Sequence, residues 1–187
     1  MNPIKSDFYI KAIQPADYHL LADMLYHAIH VPEGEEYPPR EIVQEPPLKR
    51  YIETWGRDQY DQALLAIVGS DTVGTVWGRV FSESSPGFGF IDNQTPELSI
   101  ALLPAFRGQG IGTQLLQAII ARYQELDISQ LSLSVSKQNP ALRLYQRLGF
   151  TTVEESDTSL IMKKVLNQMP ASQLKEGQKK NAKSSKS

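Results

Sequence analysis

Leu102-Leu103-Pro104-Ala105-Phe106-Arg107-Gly108-Gln109-Gly110-Ile111-Gly112-Thr113 is the stretch that decides the fold. A strand-like run, Glu97 to Leu103, stops at Pro104. Three glycines at alternate positions then lead into a segment whose apolar residues Ile111, Leu115, Leu116, Ile119, Ile120 and Tyr123 recur at helical spacing. Glycine inside a helix costs about 1 kcal/mol, so three at a helix start call for a local reason. Backbone exposure is one: first-turn N–H groups can approach an anion without Cβ obstruction, and the helix dipole favours negative charge. The expected ligand is a phosphate. A P-loop would place Gly-Lys-Ser/Thr here, and no lysine occurs between Lys49 and Lys137. A dinucleotide fingerprint would read Gly-x-Gly-x-x-Gly, whereas the spacing found is Gly-x-Gly-x-Gly. A tight strand-to-helix turn without a ligand is the plainer alternative.

A second segment, Asn139-Pro140-Ala141-Leu142-Arg143-Leu144-Tyr145-Gln146-Arg147-Leu148-Gly149-Phe150, reads as a short helix. Asn is a favoured N-cap, Pro suits the first helical position, and Gly149 suits the left-handed residue that ends a helix. Leu142, Tyr145 and Leu148 fall on one side of it. Taken alone, Tyr145 reads as a core aromatic. Around these segments the chain alternates. Phe8 to Ile13 reads as a strand, and Pro15 opens an amphipathic helix through Leu20, Leu21, Met24, Leu25, Ala28 and Ile29. Residues 31–47, with five prolines and five glutamates, read as an irregular loop, and Leu48 to Trp55 as a second helix. Ala63–Val68 and Val73–Phe81 form a hairpin around Gly69-Ser70-Asp71; Leu131–Val135, Phe150–Glu154 and Ser159–Val165 are further strands. The order indicates a single α/β domain with a mixed sheet over residues 1–166.

Composition narrows the function classes. The 187 residues carry 19 Lys and Arg against 21 Asp and Glu, and no cysteine. A near-neutral chain gives no reason to expect nucleic-acid binding. Lack of cysteine excludes disulfides, thiolate metal sites and a cysteine nucleophile, and fits a reducing compartment. The longest apolar run, Ala63–Val68, is far short of a bilayer span, and the N-terminus has no apolar signal segment. A soluble, cytoplasmic protein without membrane or nucleic-acid partners is expected. Five Lys and one Glu fall in residues 167–187, which leaves 14 basic and 20 acidic side chains before them. That tail is too polar to bury itself and is expected to be a disordered basic tail; a basic arm is the sharper alternative. A chain truncated after Leu166 is expected to keep its melting temperature and its activity. A clear loss of either in a thermal melt or a turnover assay would mean that the tail docks on the domain or reaches the acceptor.

Together the two segments are far more specific than either alone. Arg107-Gly108-Gln109-Gly110-Ile111-Gly112 on a strand–helix junction, followed by Asn139-Pro140-Ala141-Leu142-Arg143-Leu144-Tyr145, resembles the GNAT superfamily of acyl-CoA-dependent N-acetyltransferases. The resemblance spans roughly residues 8–165. It implies a mostly antiparallel central sheet with helices on both faces and splayed fourth and fifth strands that hold the pantetheine of acetyl-CoA. By position, Ile100, Ala101 and Leu102 would present backbone groups to the pantetheine and thioester. Arg107, Gly108, Gln109, Gly110, Ile111, Gly112 and Thr113 would cradle the pyrophosphate. Tyr145 would lie near the sulfur and Asn139 near the pantetheine arm. The Asn–Tyr separation is six here, one fewer than in many members, so Gln138 is the alternative to Asn139 as the cofactor contact, with Asn139 then mainly a helix cap.

The implied activity is transfer of an acetyl group from acetyl-CoA to a primary amine of a small molecule or peptide by direct attack, with no metal. A main-chain N–H at Leu102 would polarise the carbonyl. Tyr145 would donate to the leaving sulfur, and Glu97 would take the amine proton. Glu97 is equally a plain strand-start carboxylate. His19, His27 and His30 do not form a metal constellation; His27 or His30 facing the acceptor site is one reading, and exposed helical histidines are the plainer one. The excess of glutamate in residues 31–47 would draw a cationic acceptor or simply be solvated. Trp55 and Trp77 are expected to pack. A GNAT-like module that binds CoA without turnover is the alternative function, and the chain is expected to be a monomer or a homodimer.

Overall fold

The apolar runs of the sequence become seven strands: β1 Tyr9–Ala12, β2 Gln62–Val68, β3 Asp71–Val80, β4 Pro96–Leu102, β5 Gln130–Ser136, β6 Thr151–Glu155 and β7 Ser159–Val165. The structure, a computed structural model, describes residues 7–166. The expectation for the tail at 167–187 concerns residues outside these. The strands form one sheet in the order β1-β2-β3-β4-β5-β7-β6. Every neighbouring pair is antiparallel except β4 and β5.

Among the described residues four α-helices accompany the sheet: α1 Leu20–Ala28, α2 Pro46–Lys49, α3 Ile111–Glu125 and α4 Leu142–Arg147. Two cores result, one on each face. Neighbouring residues of β3 point to opposite sides, as strand geometry requires. Val76 joins Leu98, Leu115, Leu116, Ile119 and Leu133 in the core beneath α3, while Trp77 joins Leu21, Met24, Leu25 and Trp55 beneath α1. All six apolar positions expected on the inner face of α3 are buried. Both tryptophans pack, as expected.

Three segments depart from the sequence reading. Pro15 opens a 3-10 turn, Pro15–Asp17, and the α-helix proper starts at Leu20. The helix expected over Leu48–Trp55 is one turn, Pro46–Lys49, followed by further turns. The physical reason is Arg79, whose Nη1 donates to the carbonyls of Arg50 (2.7 Å) and Glu53 (2.9 Å), the acceptors a continuing helix would use. The same guanidinium is bidentate to buried Asp61 (3.1 and 2.9 Å) and lies over the Trp55 ring. Lastly, Asn139 Oδ1 accepts from the Ala141 N–H at 2.9 Å, closing a turn ahead of α4 rather than capping its first residue.

The seam between β4 and β5 sets the site. β3 and β4 are paired over Gly74–Val80, and β5 and β7 over Gln130–Ser136, but β4 and β5 pair only at Glu97 and Ser132. Beyond that bridge the two strands separate, in the direction of the glycine turn.

Candidate active site

The glycine turn owes its residues to two different constraints. Gly108 and Gly110 have φ of +73° and +86°, in the left-handed region that side chains rarely adopt, and a Cβ on either would meet nothing within 4 Å. Gly110 is the N-cap of α3. Gly112 has ordinary backbone and is buried; a Cβ there would lie 3.3 Å from Leu102 Cδ1, so this glycine lets α3 pack close on β4. The first-turn N–H groups of α3 have no partners within the helix and point out of its start.

A cavity of about 610 Å³ opens at that helix start, lined by Arg107, Gly108, Gly110, Gly112 and Thr113 from the turn and by Arg147 from α4. Two expected members stand apart from it: the Ile111 side chain is in the core, and Gln109 turns its amide to the Ala105 carbonyl (2.9 Å). The cavity floor is Ile100, Ala101 and Leu102. The ladder assigns these three different tasks. The Leu103 N–H bonds the Val73 carbonyl at 2.9 Å, and in an antiparallel pair the bonding residues alternate. Ala101 therefore spends its N–H and C=O on Thr75, contrary to the expectation that its backbone serves a ligand. Ile100 and Leu102 face the seam, where β5 has moved away. The Leu102 carbonyl accepts from Arg107 Nε at 3.1 Å, which leaves its N–H directed into the gap.

On the other side of the seam lies a smaller cavity, about 300 Å³. Leu25, Ala28 and Ile29 of α1, Ile42, Leu48 and Phe88 give it apolar walls. The two cavities share Ala28, Ile29, Ile100, Asn139 and Tyr145. Tyr145 sits at their junction, 7% exposed, its ring edge-on to Phe150. Burial holds its hydroxyl well above the usual tyrosine range, so it stays protonated. No described residue hydrogen-bonds that hydroxyl.

Glu97 lines the smaller cavity and is 3% exposed. Its Oε1 accepts from the Tyr51 hydroxyl at 2.6 Å, and Tyr51 Oη in turn accepts from the Phe88 N–H at 2.6 Å. The Gly89 N–H polarises the carboxylate without a well-aligned bond, and Oε2 is left without a partner. A side chain at Gly87 would collide with that oxygen. Burial pushes the Glu97 carboxyl up to about 7, against the smaller opposing effects of Tyr51, Gly89 and Arg50. The same burial, with Glu97 beside it, holds the Tyr51 hydroxyl far above its ordinary range. Tyr51 reaches this position because Arg79 ties down the carbonyls on either side of it.

The charges divide. Arg107, Arg147 and the start of α3 border the larger cavity, and Glu97 is the carboxylate of the smaller one. The acidic loop does not contribute: Glu33, Glu35, Glu36, Glu41 and Glu45 are exposed and line neither cavity, while Tyr37, Ile42 and Leu48 from the same region do. Two histidines also depart from expectation. His19 is exposed, but His27 and His30 are half-buried and line the larger cavity, where desolvation, with Arg40 and Arg107 adding to it, lowers the pKa of His27. Asn139 lines both cavities and Gln138 is exposed outside them. Sequence reasoning did not reach Phe88, or Tyr51 as the partner of Glu97. Among the described residues no group of three or more His, Cys, Asp or Glu is placed to hold a metal, and no helix is long and apolar enough to cross a membrane.

Residues 24–150 match the acetyltransferase (GNAT) family. The mycothiol acetyltransferase of Corynebacterium aurimucosum is 34% identical over 80 residues, 42% of this chain and 24% of that protein. The ribosomal protein bS18-alanine N-acetyltransferase of Haemophilus influenzae is 38% identical over 56 residues, 30% of this chain and 38% of that protein. The chain thus covers well under half the length of either relative. Among solved structures, the Salmonella typhimurium protein yncA with its cofactor acetyl-CoA superposes with a TM-score of 0.61 at 20% identity, over 88% of this chain and 96% of that one.

Proposed function

The chain belongs to the acetyltransferase (GNAT) family, and from that premise we propose that it transfers the acetyl group of acetyl-CoA to a primary amine by direct attack. One observation carries the reading: two cavities of opposite charge meet at Tyr145, across a seam where Ile100 and Leu102 present unpaired backbone groups. The larger cavity suits acetyl-CoA. Arg107, Arg147 and the first-turn N–H groups of α3 match its phosphates, and the opened seam matches an extended arm that needs strand-like partners.

Acetyl-CoA brings an activated thioester; the remaining tasks fall to this chain. Glu97 accepts the proton that an ammonium must lose before its nitrogen can attack, directly or through a water in the smaller cavity. The Leu102 N–H stabilises negative charge developing on the thioester oxygen. Tyr145 gives a proton to the sulfur as the C–S bond breaks and regains one from the nitrogen, which sheds its second proton as the amide forms. The products are an amide and the free thiol, with one proton left on Glu97. The division of labour is acyl transfer by positioning, with one base and one acid.

Incubation with acetyl-CoA and mixed amines, followed by thiol release and by mass analysis of the acetylated product, tests the proposal. Binding of acetyl-CoA with no transfer to any amine would leave a CoA-binding module. A narrower test concerns the turn. Gly110→Val forces a β-branched residue into the left-handed region, at about 1–2 kcal/mol, and re-aims the N–H groups at the start of α3. Affinity for CoA is expected to drop ~10-fold or more with native far-UV circular dichroism. Unchanged affinity in the folded variant would mean that the phosphates bind elsewhere.

A further inference from the structure

The smaller cavity is specific in what it lacks. Among the described residues Glu97 is its one carboxylate, and no lysine, arginine or histidine lines it. Arg50, the cation that acts on Glu97, keeps its guanidinium on the carbonyls of Pro46 and Pro86, outside the walls. Leu25, Ile29, Ile42, Leu48 and Phe88 make the part nearest α1 apolar, while Ser99, Ser134 and Asn139 add uncharged polar groups. Phe88 is 57% exposed at the cavity and stacks on Tyr51 with ring centroids 6.0 Å apart. An aromatic ring held there by its own N–H, and left open to solvent on its other side, is an apolar platform awaiting a partner.

Resting on the acetyl-transfer reading, we infer that the acceptor is a small primary amine carried on an apolar body and bearing no carboxylate: its nitrogen lies at Glu97 and its body between Phe88, Ile42 and Leu48. The reasons are chemical. The buried Glu97 carboxylate has one well-aligned donor, the Tyr51 hydroxyl on Oε1, and no cation beside it in the cavity lining. An ammonium supplies the charge that compensates it, directly or through a water. A carboxylate on the same molecule would enter a site that already holds one negative group and whose described lining offers no cation, so repulsion and desolvation oppose it together. A peptide backbone running past Phe88, Ile42 and Leu48 would carry N–H and C=O groups against side chains that have no partner to give them. A second ammonium in place of the apolar body would be stripped of water against Leu48 and Ile42 with nothing to pair it.

The test uses the full chain, acetyl-CoA and four acceptors: 2-phenylethylamine, phenylalanine, 1,4-diaminobutane and a peptide with an N-terminal alanine. 2-Phenylethylamine is expected to exceed phenylalanine in kcat/KM by ~100-fold, the difference being one unpaired carboxylate. Phe88→Ala is expected to lower kcat/KM for 2-phenylethylamine about 10-fold through KM, while affinity for CoA is unchanged. Equal or faster acetylation of phenylalanine, the diamine or the peptide would overturn the inference and leave acetyl transfer standing. No transfer to any of the four or to a wider amine mixture, with acetyl-CoA bound, would overturn the transfer reading and this inference with it.

Discussion

Glu97→Gln is expected to lower turnover with an amine acceptor ~10²–10⁴-fold, the range general-base removal commonly gives, and at the same time to raise stability above pH 7. Both effects come from one buried group. Burial raises the Glu97 pKa from an ordinary 4.5 to about 7. Between those values the folded protein holds a proton that the unfolded chain has released. Stability from this group is therefore complete below about pH 4.5 and is lost as pH rises through about 7. Glutamine cannot ionise, keeps an oxygen for the Tyr51 hydroxyl, and escapes that loss. Near pH 8 the variant is expected to gain about 1–3 kcal/mol, the lower figure allowing for an amide N–H₂ with no acceptor; near pH 4 the gain disappears. Native turnover should rise with pH through about 7, and the variant should lose that rise. Thermal melts at both pH values, with initial rates on the same preparations, check this. Unchanged turnover with the stability gain intact would make Glu97 a structural carboxylate and leave the base unassigned.

Tyr145→Phe is expected to lower turnover by ~10–10³-fold with affinity for CoA nearly unchanged, because the lost interaction strengthens mainly in the transition state. The structure sharpens this experiment. A core tyrosine usually loses about 1 kcal/mol with its hydroxyl, through a broken hydrogen bond. Here no described residue bonds that hydroxyl, and phenylalanine preserves the edge-on contact with Phe150. The melting temperature should therefore hold while the rate falls. Unaltered turnover per folded molecule would remove Tyr145 from the chemistry.

What could be read in the sequence was local. Pro104, the spaced glycines and the periodic run to Tyr123 mark α3 because caps and amphipathic spacing act within a few residues. Asn139, Pro140 and Gly149 mark α4 in the same way. The elements misread were those decided at long range. The segment 48–55 has helical spacing, yet Arg79, far along the chain, takes its carbonyls, and no local pattern announces that. Tyr51 and Glu97 are 46 residues apart, so their hydrogen bond leaves no trace in either neighbourhood. Phe88 lies in a Gly-rich stretch that offered no period to read. His27 and His30 looked exposed because α1 is amphipathic, but the end of that helix overhangs the seam and turns its polar side over a cavity rather than into solvent. The glutamates of residues 31–47 drew attention by number, and the carboxylate that lines the smaller cavity is the buried Glu97, well beyond them in the chain.

The lone bridge between Glu97 and Ser132 has a mechanical meaning as well. One ladder spans β1 to β4 and another spans β5, β7 and β6, so the sheet is two plates that share a hinge pin. Cohesion across that line comes from the direct packing of β4 on β5, from Gly89, which lies tight against both Glu97 and the Leu133–Ser134 backbone, and from Gln130, whose amide donates to Asp92 and Thr95. A molecule that lays amide groups along the open part of the line would act as a missing strand and join the plates where their own pairing stops. The ligand would then be masonry as much as reagent: its departure would loosen the joint between the plates, and the folding equilibrium of the whole domain would be tied to the supply of its acyl donor.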